Sequence, residues 1–213
     1  MTVAIEAIIH DVEQGSPEWF KVRAGIPTAS EFDSIITPLW KARTGEGVNT
    51  YLSKKLAERW LGRPLMSATA WPMEQGNILE DEAIPYYELM HDVEIQRVGF
   101  ITTADGKAGC SPDGLIGEHG IGLEIKCPQP HTHVGYLTSG ELPKEYAAQV
   151  HGGMYVTGAS SWEFMSYCRG FPKLELTIKR DEAIIEAIHS AVTAFNERLE
   201  AGYELLTKLK GNK

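Results

Sequence analysis

In the stretch Leu123-Glu124-Ile125-Lys126-Cys127 apolar and charged side chains alternate, which predicts a strand with Leu123, Ile125 and Cys127 on one face and Glu124 and Lys126 on the other. The same period predicts strands from Ser161 to Cys168 and from Lys173 to Lys179, joined as an antiparallel hairpin at Arg169-Gly170-Phe171-Pro172. Glu94 to Thr103 alternates more loosely and fits a strand, and the turn Ala104-Asp105-Gly106 leads to a further strand reaching Ser111. Elsewhere the period is helical. Ile184, Ile188, Val192, Phe195 and Leu199 form the core stripe of a long last helix capped by Asp181, with Lys208, Lys210 and Lys213 as a basic tail.

Turn and cap residues place the other helices. After a short leader, Ser16 and Pro17 read as N-cap and first helical residue of a helix that stops at Gly25. Thr28 with Glu31 three positions later predicts a capping box and a second helix start, which puts Ser30 in a first turn. Pro38 to Asn49 reads as a mobile basic loop before a helix through Tyr51, Leu52, Leu56 and Trp60, ended by Gly62-Arg63-Pro64. A helix from Gly76 to Met90 carries Pro85, which kinks it or delays its start. Gln129 to His133 reads as a loop, and a helix from Lys144 puts Tyr146 and Gln149 on one face.

Length and charge narrow the picture. The 213 residues are read as one domain, 1–213, with a helical part over about 16–90, a sheet core over about 92–180 and a last helix over about 181–208. No run of about 18 apolar residues exists to span a membrane, and the first residues lack the basic start and cleavage pattern of an export signal. A cytoplasmic protein is the expectation. Cys110, Cys127 and Cys168 form no Cys-x-x-Cys pair, which argues for reduced, mostly buried thiols over a disulfide framework or a structural zinc site. The formal charge of -9 weighs against a polyanionic partner, yet residues 1–63 hold eight basic and eight acidic side chains and are neutral. A DNA-facing surface would therefore draw on the N-terminal third.

The candidate chemistry sits around the first strand. Asp113 lies eleven positions before Glu124 with Gly114, Gly117, Gly120 and Gly122 between them, so a hairpin can bring the two carboxylates and Lys126 together. Few hard oxygen ligands suit Mg2+ or Mn2+, and Lys126 would assist the attacking water or carry charge of the pentavalent phosphate. From these residues alone, a solvated strand edge reads the same way. Glu80, beside Leu79 and one turn from Ala83 and Ile84, is a third acid that can face inward. Arg23 near Ser30 suits a phosphate at a helix start, where unpaired N–H groups favour anions. A zinc role for His131 and His133 lacks a third ligand.

Taken together, these segments resemble the phage lambda exonuclease-like, or viral recombinase, branch of the PD-(D/E)xK nucleases. The resemblance rests on Trp19-Phe20-Lys21-Val22-Arg23-Ala24-Gly25 with Thr28-Ala29-Ser30, on 76–80, on Ser111-Pro112-Asp113-Gly114, on Leu123 to Pro128, and on Tyr146 with Ala148-Gln149-Val150, in the family's order. It implies an α/β fold with a restriction-endonuclease-like core, a central mixed β-sheet flanked by α-helices. It also implies that Asp113, Glu124, the Ile125 carbonyl and Glu80 bind two Mg2+ (or Mn2+) ions, that Lys126 assists the water, that Arg23, Ser30 and Ser111 hold a 5'-terminal phosphate, and that Tyr146 and Gln149 support the site. The implied activity is 5'-to-3' digestion of linear duplex DNA by a homotrimeric ring, leaving a 3'-ended strand for a single-strand annealing protein, in a bacterial host or from a prophage. After Lys-Cys-Pro the family's Arg is replaced by His131, Thr132 and His133, and the family's strand-separating residue aligns loosely with Met73. An endonuclease or other repair nuclease on this fold, and a non-catalytic DNA-binding scaffold, are the competing readings.

Overall fold

A computed structural model of the chain describes residues 7–65, 82–117 and 120–211. Its elements in order are β1 (Ile8–His10), α1 (Pro17–Arg23), a 3-10 turn (Ala29–Ser34), α2 (Glu46–Leu61), a helix α3 over 82–91, β2 (Ile95–Gln96), β3 (Phe100–Thr102), β4 (Gly109–Cys110), β5 (Gly114–Ile116), β6 (Ile121–Lys126), α4 (Pro130–Ser139), α5 (Lys144–Thr157), β7 (Ser161–Ser166), β8 (Leu174–Lys179) and α6 (Glu182–Gly211). Five strands form a sheet in the order β2-β5-β6-β7-β8, in which only the β6–β7 pair is parallel; β1, β3 and β4 form a smaller antiparallel sheet. The larger sheet is therefore mixed.

Strand β6 lies inside that sheet and is covered on both faces. Leu123 and Ile125 pack with Ala83, Ile84, Tyr87, Met165 and Tyr167, which puts α3 over their side. Trp162 and Phe164 of β7 pack on the opposite side with Val150 and Met154 of α5 and Ile188, Val192 and Phe195 of α6. A solvated edge is thereby ruled out for Glu124, which is 2% exposed.

Several predicted elements form where the sequence placed them. Ser16 Oγ accepts from Trp19 N–H at 3.1 Å with Pro17 in the first helical turn, and Asp181 Oδ1 accepts from Ala183 N–H at 2.9 Å at the head of α6. Among the described residues the cysteines form no disulfide, and no helix is long and apolar enough to cross a membrane.

Other elements differ, for identifiable reasons. The leader contributes β1, which pairs with β3. The stretch 94–103 is broken into β2 and β3, in different sheets, because Val98 and Gly99 are taken up by the segment before and within α1. Gln14 Nε2 donates to the Val98 carbonyl at 3.0 Å, Trp19 Nε1 donates to the Gly99 carbonyl at 3.0 Å, and a Cβ on Gly99 would stand 1.7 Å from the Val12 carbonyl oxygen. The box at Thr28 does not close, since Glu31 turns its carboxylate to Lys54 and Lys55, and the turn that follows is 3-10. The basic loop folds on itself through an Ile36–Ala42 bridge and an Arg43 N–H to Ile35 carbonyl bond of 2.8 Å, and α2 begins at Glu46. Lys208 and Lys210 belong to the last turn of α6 and not to a tail.

The region read as a histidine loop is the start of α4, with Pro130 in its first turn. His133 is 0% exposed. Its Nε2 donates to the Pro172 carbonyl at 2.8 Å, and in the neutral ring Nδ1 then accepts from the Ser166 hydroxyl at 2.7 Å, which bolts α4 to β7 and to the turn before β8. His131 is exposed. We expect His133→Ala to lower the unfolding free energy by about 2–4 kcal/mol through lost buried hydrogen bonds and packing, and His131→Ala to change it by less than about 0.5 kcal/mol. Urea unfolding of the two variants beside the parent checks this; equal small losses would return His133 to the surface.

Candidate active site

The β5–β6 hairpin is what brings distant acids together. Gly117 and Gly120 turn it in left-handed conformations at φ 63° and 62°, and the register sets Gly114 opposite Leu123. Asp113 then stands beside β6: its N–H donates to the Leu123 carbonyl at 3.0 Å, and its Oδ2 accepts from Ile125 N–H at 2.5 Å. Glu124 Oε1 receives Lys126 Nζ at 2.5 Å from its own strand and Gln149 Nε2 at 2.5 Å from α5. Lys126 Nζ lies 5.1 Å above the Tyr146 ring, one turn earlier on α5. Five of the residues singled out in the sequence, Asp113, Glu124, Lys126, Tyr146 and Gln149, thus meet.

Burial sets the electrostatics. It pushes the Glu124 carboxyl up, against the pull of Lys126 and Gln149. It also opposes the Lys126 ammonium, but Glu124 and Asp113 outweigh it and hold Lys126 above its ordinary range. The direction that governs the pair is that of Lys126, because an ammonium facing two carboxylates keeps its proton. Cys110 nearby is a buried thiol raised by burial and then by Glu124, hence unreactive.

A second group shares with the acids a cavity of about 180 Å³ lined by Arg23, Ser30, Ser111, Asp113, Glu124, Lys126 and Gln149 among others. Ser111 Oγ accepts from Arg23 Nη1 at 2.8 Å and from Trp19 Nε1 at 3.0 Å. The Arg23 guanidinium also stacks 4.0 Å from the Trp19 ring. Ser30 is exposed at the wall, 3.4 Å from Thr28 Oγ1. A larger hollow of about 430 Å³, lined by Ile36, Trp40, Arg43 and Lys144, lies apart from the converging acids and lysine.

Glu80 and Met73 lie outside the described residues. Among the described residues no three His, Cys, Asp or Glu side chains converge as a metal site. Of the residues after Cys127-Pro128, His133 points into the protein interior and not into the cavity. Gln14, Trp19, Cys110 and Trp162 line the cavity without having been assigned a role in it. A tryptophan one helical turn from an arginine carries no signal of its own, and only the tertiary fold shows that its indole nitrogen reaches Ser111.

Charges also lie beneath the Arg23–Ser30 segment. Glu31 binds Lys54 at 2.7 Å and Lys55 at 2.8 Å, and Lys55 binds Glu58 at 3.1 Å. Burial alone would raise the Glu31 carboxyl, yet Lys55 and Lys54 outweigh it and hold it at about 2.

Comparison with known proteins places the chain in a family and a fold. The profile of the YqaJ-like viral recombinase domain matches residues 18–160. The crystal structure of an alkaline exonuclease, LHK-Exo from Laribacter hongkongensis, is 30% identical, with a TM-score of 0.82 over 92% of this chain and 99% of that chain. The same enzyme in complex with dAMP matches at 31% identity with a TM-score of 0.82 and the same coverage. A phage related exonuclease from Haemophilus somnus 129PT shares the fold at 12% identity, with a TM-score of 0.66 over 86% of this chain and 96% of that chain. A comparison with curated proteins finds no match. The mixed sheet flanked by helices is the nuclease fold of the alkaline exonuclease structures.

The Glu31 shift carries a pH dependence. The folded carboxyl titrates at about 2 against an ordinary 4.5, so its stabilisation, up to about 3 kcal/mol, is complete above about pH 4.5 and is lost as pH falls towards 2. Glu31→Gln is expected to be less stable than the parent at pH 7, with the gap closing below pH 4.5. Urea unfolding at a series of pH values measures it, and a gap independent of pH would contradict the assignment.

Proposed function

Because this chain belongs to the family of YqaJ-like viral recombinase domains, we propose that it is a divalent-metal-dependent exonuclease that digests linear duplex DNA from its 5' ends. The observation that carries the reading is the meeting of Asp113, Glu124 and Lys126 with Arg23 and Ser111 around one cavity. Acids and lysine suit phosphodiester hydrolysis, and the arginine lining the same cavity suits the terminal phosphate that distinguishes a DNA end.

The donor set fits a hard cation. Asp113 and Glu124 offer carboxylate oxygens, and Lys126 and Gln149 both contact Glu124 through Oε1. With the Ile125 carbonyl, and with Glu80 as a third acid, these groups would hold Mg2+ or Mn2+, in our reading two ions. A bound ion supplies positive charge at the scissile phosphate and an acidified water.

The chain's own groups then divide the work. Lys126, held as an ammonium by its two acids, orients the attacking water and stabilises charge developing on phosphorus-bound oxygen. Gln149 fixes the Glu124 carboxylate, and the Tyr146 ring keeps Lys126 in place. Arg23, Ser30 and Ser111 hold the 5'-phosphate so that the next linkage falls over the acids. Water attack at that phosphorus breaks its bond to the 3' oxygen of the terminal nucleotide, which releases a mononucleotide and leaves a new 5'-phosphate. The product strand thus carries the group the pocket binds. The 3'-ended partner strand would go to a single-strand annealing protein, and the family resemblance supports a homotrimeric ring acting in the cytoplasm of a bacterial host.

The test compares linear duplex, with 5'-phosphoryl or 5'-hydroxyl ends, against closed circles in Mg2+. We expect digestion of linear DNA with preference for 5'-phosphate, and none of circles; cleavage of circles would turn the reading to an endonuclease. Asp113→Asn and Lys126→Ala should each lower the rate by at least about 100-fold while the far-UV spectrum is unchanged, and EDTA should stop the parent. Full activity in either variant would remove that residue from the chemistry.

A further inference from the structure

Lys55 is 4% exposed and Glu58 3% exposed, a burial that costs charged groups dearly unless they are paired and hydrogen-bonded. Here each contact has a place in the fold. Lys55 Nζ bridges Glu31 Oε2 at 2.8 Å and Glu58 Oε2 at 3.1 Å. The same Glu58 Oε2 accepts from Gly25 N–H at 3.2 Å, two residues after Arg23. Glu31, next to Ser30, also receives the Tyr51 hydroxyl at 3.3 Å. One buried amine on α2 thus ties down both ends of the segment 25–31, which carries Ser30 and starts two residues after Arg23.

The segment has little other room to move. Gly25 sits at φ 75°, and a Cβ there would stand 2.6 Å from the Cβ of Arg59, so the chain rests directly on α2. Arg59 itself holds α2 to α6 through two bonds to Glu200 at 2.7 and 3.0 Å. On the other side the Pro27 carbonyl accepts from Gly109 N–H at 3.1 Å, one residue before Cys110 and two before Ser111. The brace therefore links the α2 frame to both halves of the anion-facing wall. Glu31 and Glu58 also act on the Arg23 charge, each opposing the effect of its burial.

A buried ion cluster of this kind adds little stability over well-packed apolar side chains, but its directional contacts fix geometry. We propose that Lys55, with Glu31 and Glu58, is a positioning device for the terminal-phosphate pocket: it sets where Arg23 and Ser30 stand across the cavity, and so how strongly a 5'-phosphorylated end is preferred, without touching DNA. This rests on the reading of the cavity as a 5'-phosphate pocket.

Steady-state kinetics on 5'-phosphoryl and 5'-hydroxyl linear duplex would be measured for the parent, Lys55→Met, Lys55→Arg and Glu58→Gln, each corrected for its folded fraction by circular dichroism. For Lys55→Met the KM for the phosphorylated duplex is expected to rise about tenfold or more, with kcat within about twofold, and the preference for phosphorylated ends to fall by the same factor. Lys55→Arg should restore most of the preference, and Glu58→Gln, which keeps an acceptor for Gly25, should lose part of it. If Lys55→Met does not fold, Glu58→Gln and Lys55→Arg decide between them. A preference unchanged in the folded variants, or a loss of kcat shared equally by both ends, overturns the positioning role alone. A parent without any preference for 5'-phosphate overturns the pocket reading and this inference with it.

Discussion

A carboxylate and an ammonium on the inward face of one strand set the terms for the rest of this structure. Glu124 is buried beneath α5 and Lys126 lies half-buried beside it, and the carboxylate would not be tolerated there without a partner. Their mutual contact answers part of that demand. The remainder is met from outside the strand, by Gln149 of α5 and by Asp113 across the hairpin. The β5–β6 turn and the position of α5 over the sheet bring up the groups that satisfy this pair of charges, while Leu123 and Ile125 bury the other face of β6 against α3.

The same logic explains what could be read from residue order and what could not. The alternation in Leu123–Cys127 placed acid and lysine on one face because a strand has only two faces, and the glycines before it made a hairpin with Asp113 at its mouth the economical closure. The i, i+3 spacing of Tyr146 and Gln149 correctly put them together, since helical geometry is local. His133 was misread because nothing nearby in sequence says that a serine on β7 and a proline carbonyl before β8 will enclose it. The break at Val98 and Gly99 was likewise invisible, for its cause is the approach of Val12, Gln14 and Trp19 from the far end of the chain.

Charge bookkeeping over the whole chain proved a poor guide to the cavity. The N-terminal third is formally neutral, yet it places Arg23 on one wall while its acids Glu31 and Glu58 are taken up by lysines of α2. Local pairing, and not the net count of -9, decides which sign a ligand meets.

Ser111 gives that wall a polarity of its own. A hydroxyl has one hydrogen to give and two lone pairs to receive, and both lone pairs here are engaged, one by the Trp19 indole and one by the Arg23 guanidinium. The only capacity left is the hydrogen. The side chain that elsewhere adapts to either donors or acceptors is therefore locked as a donor, and a guest at this spot must bring an atom with an unshared pair; a solvent molecule there has to turn its own hydrogens away from the serine.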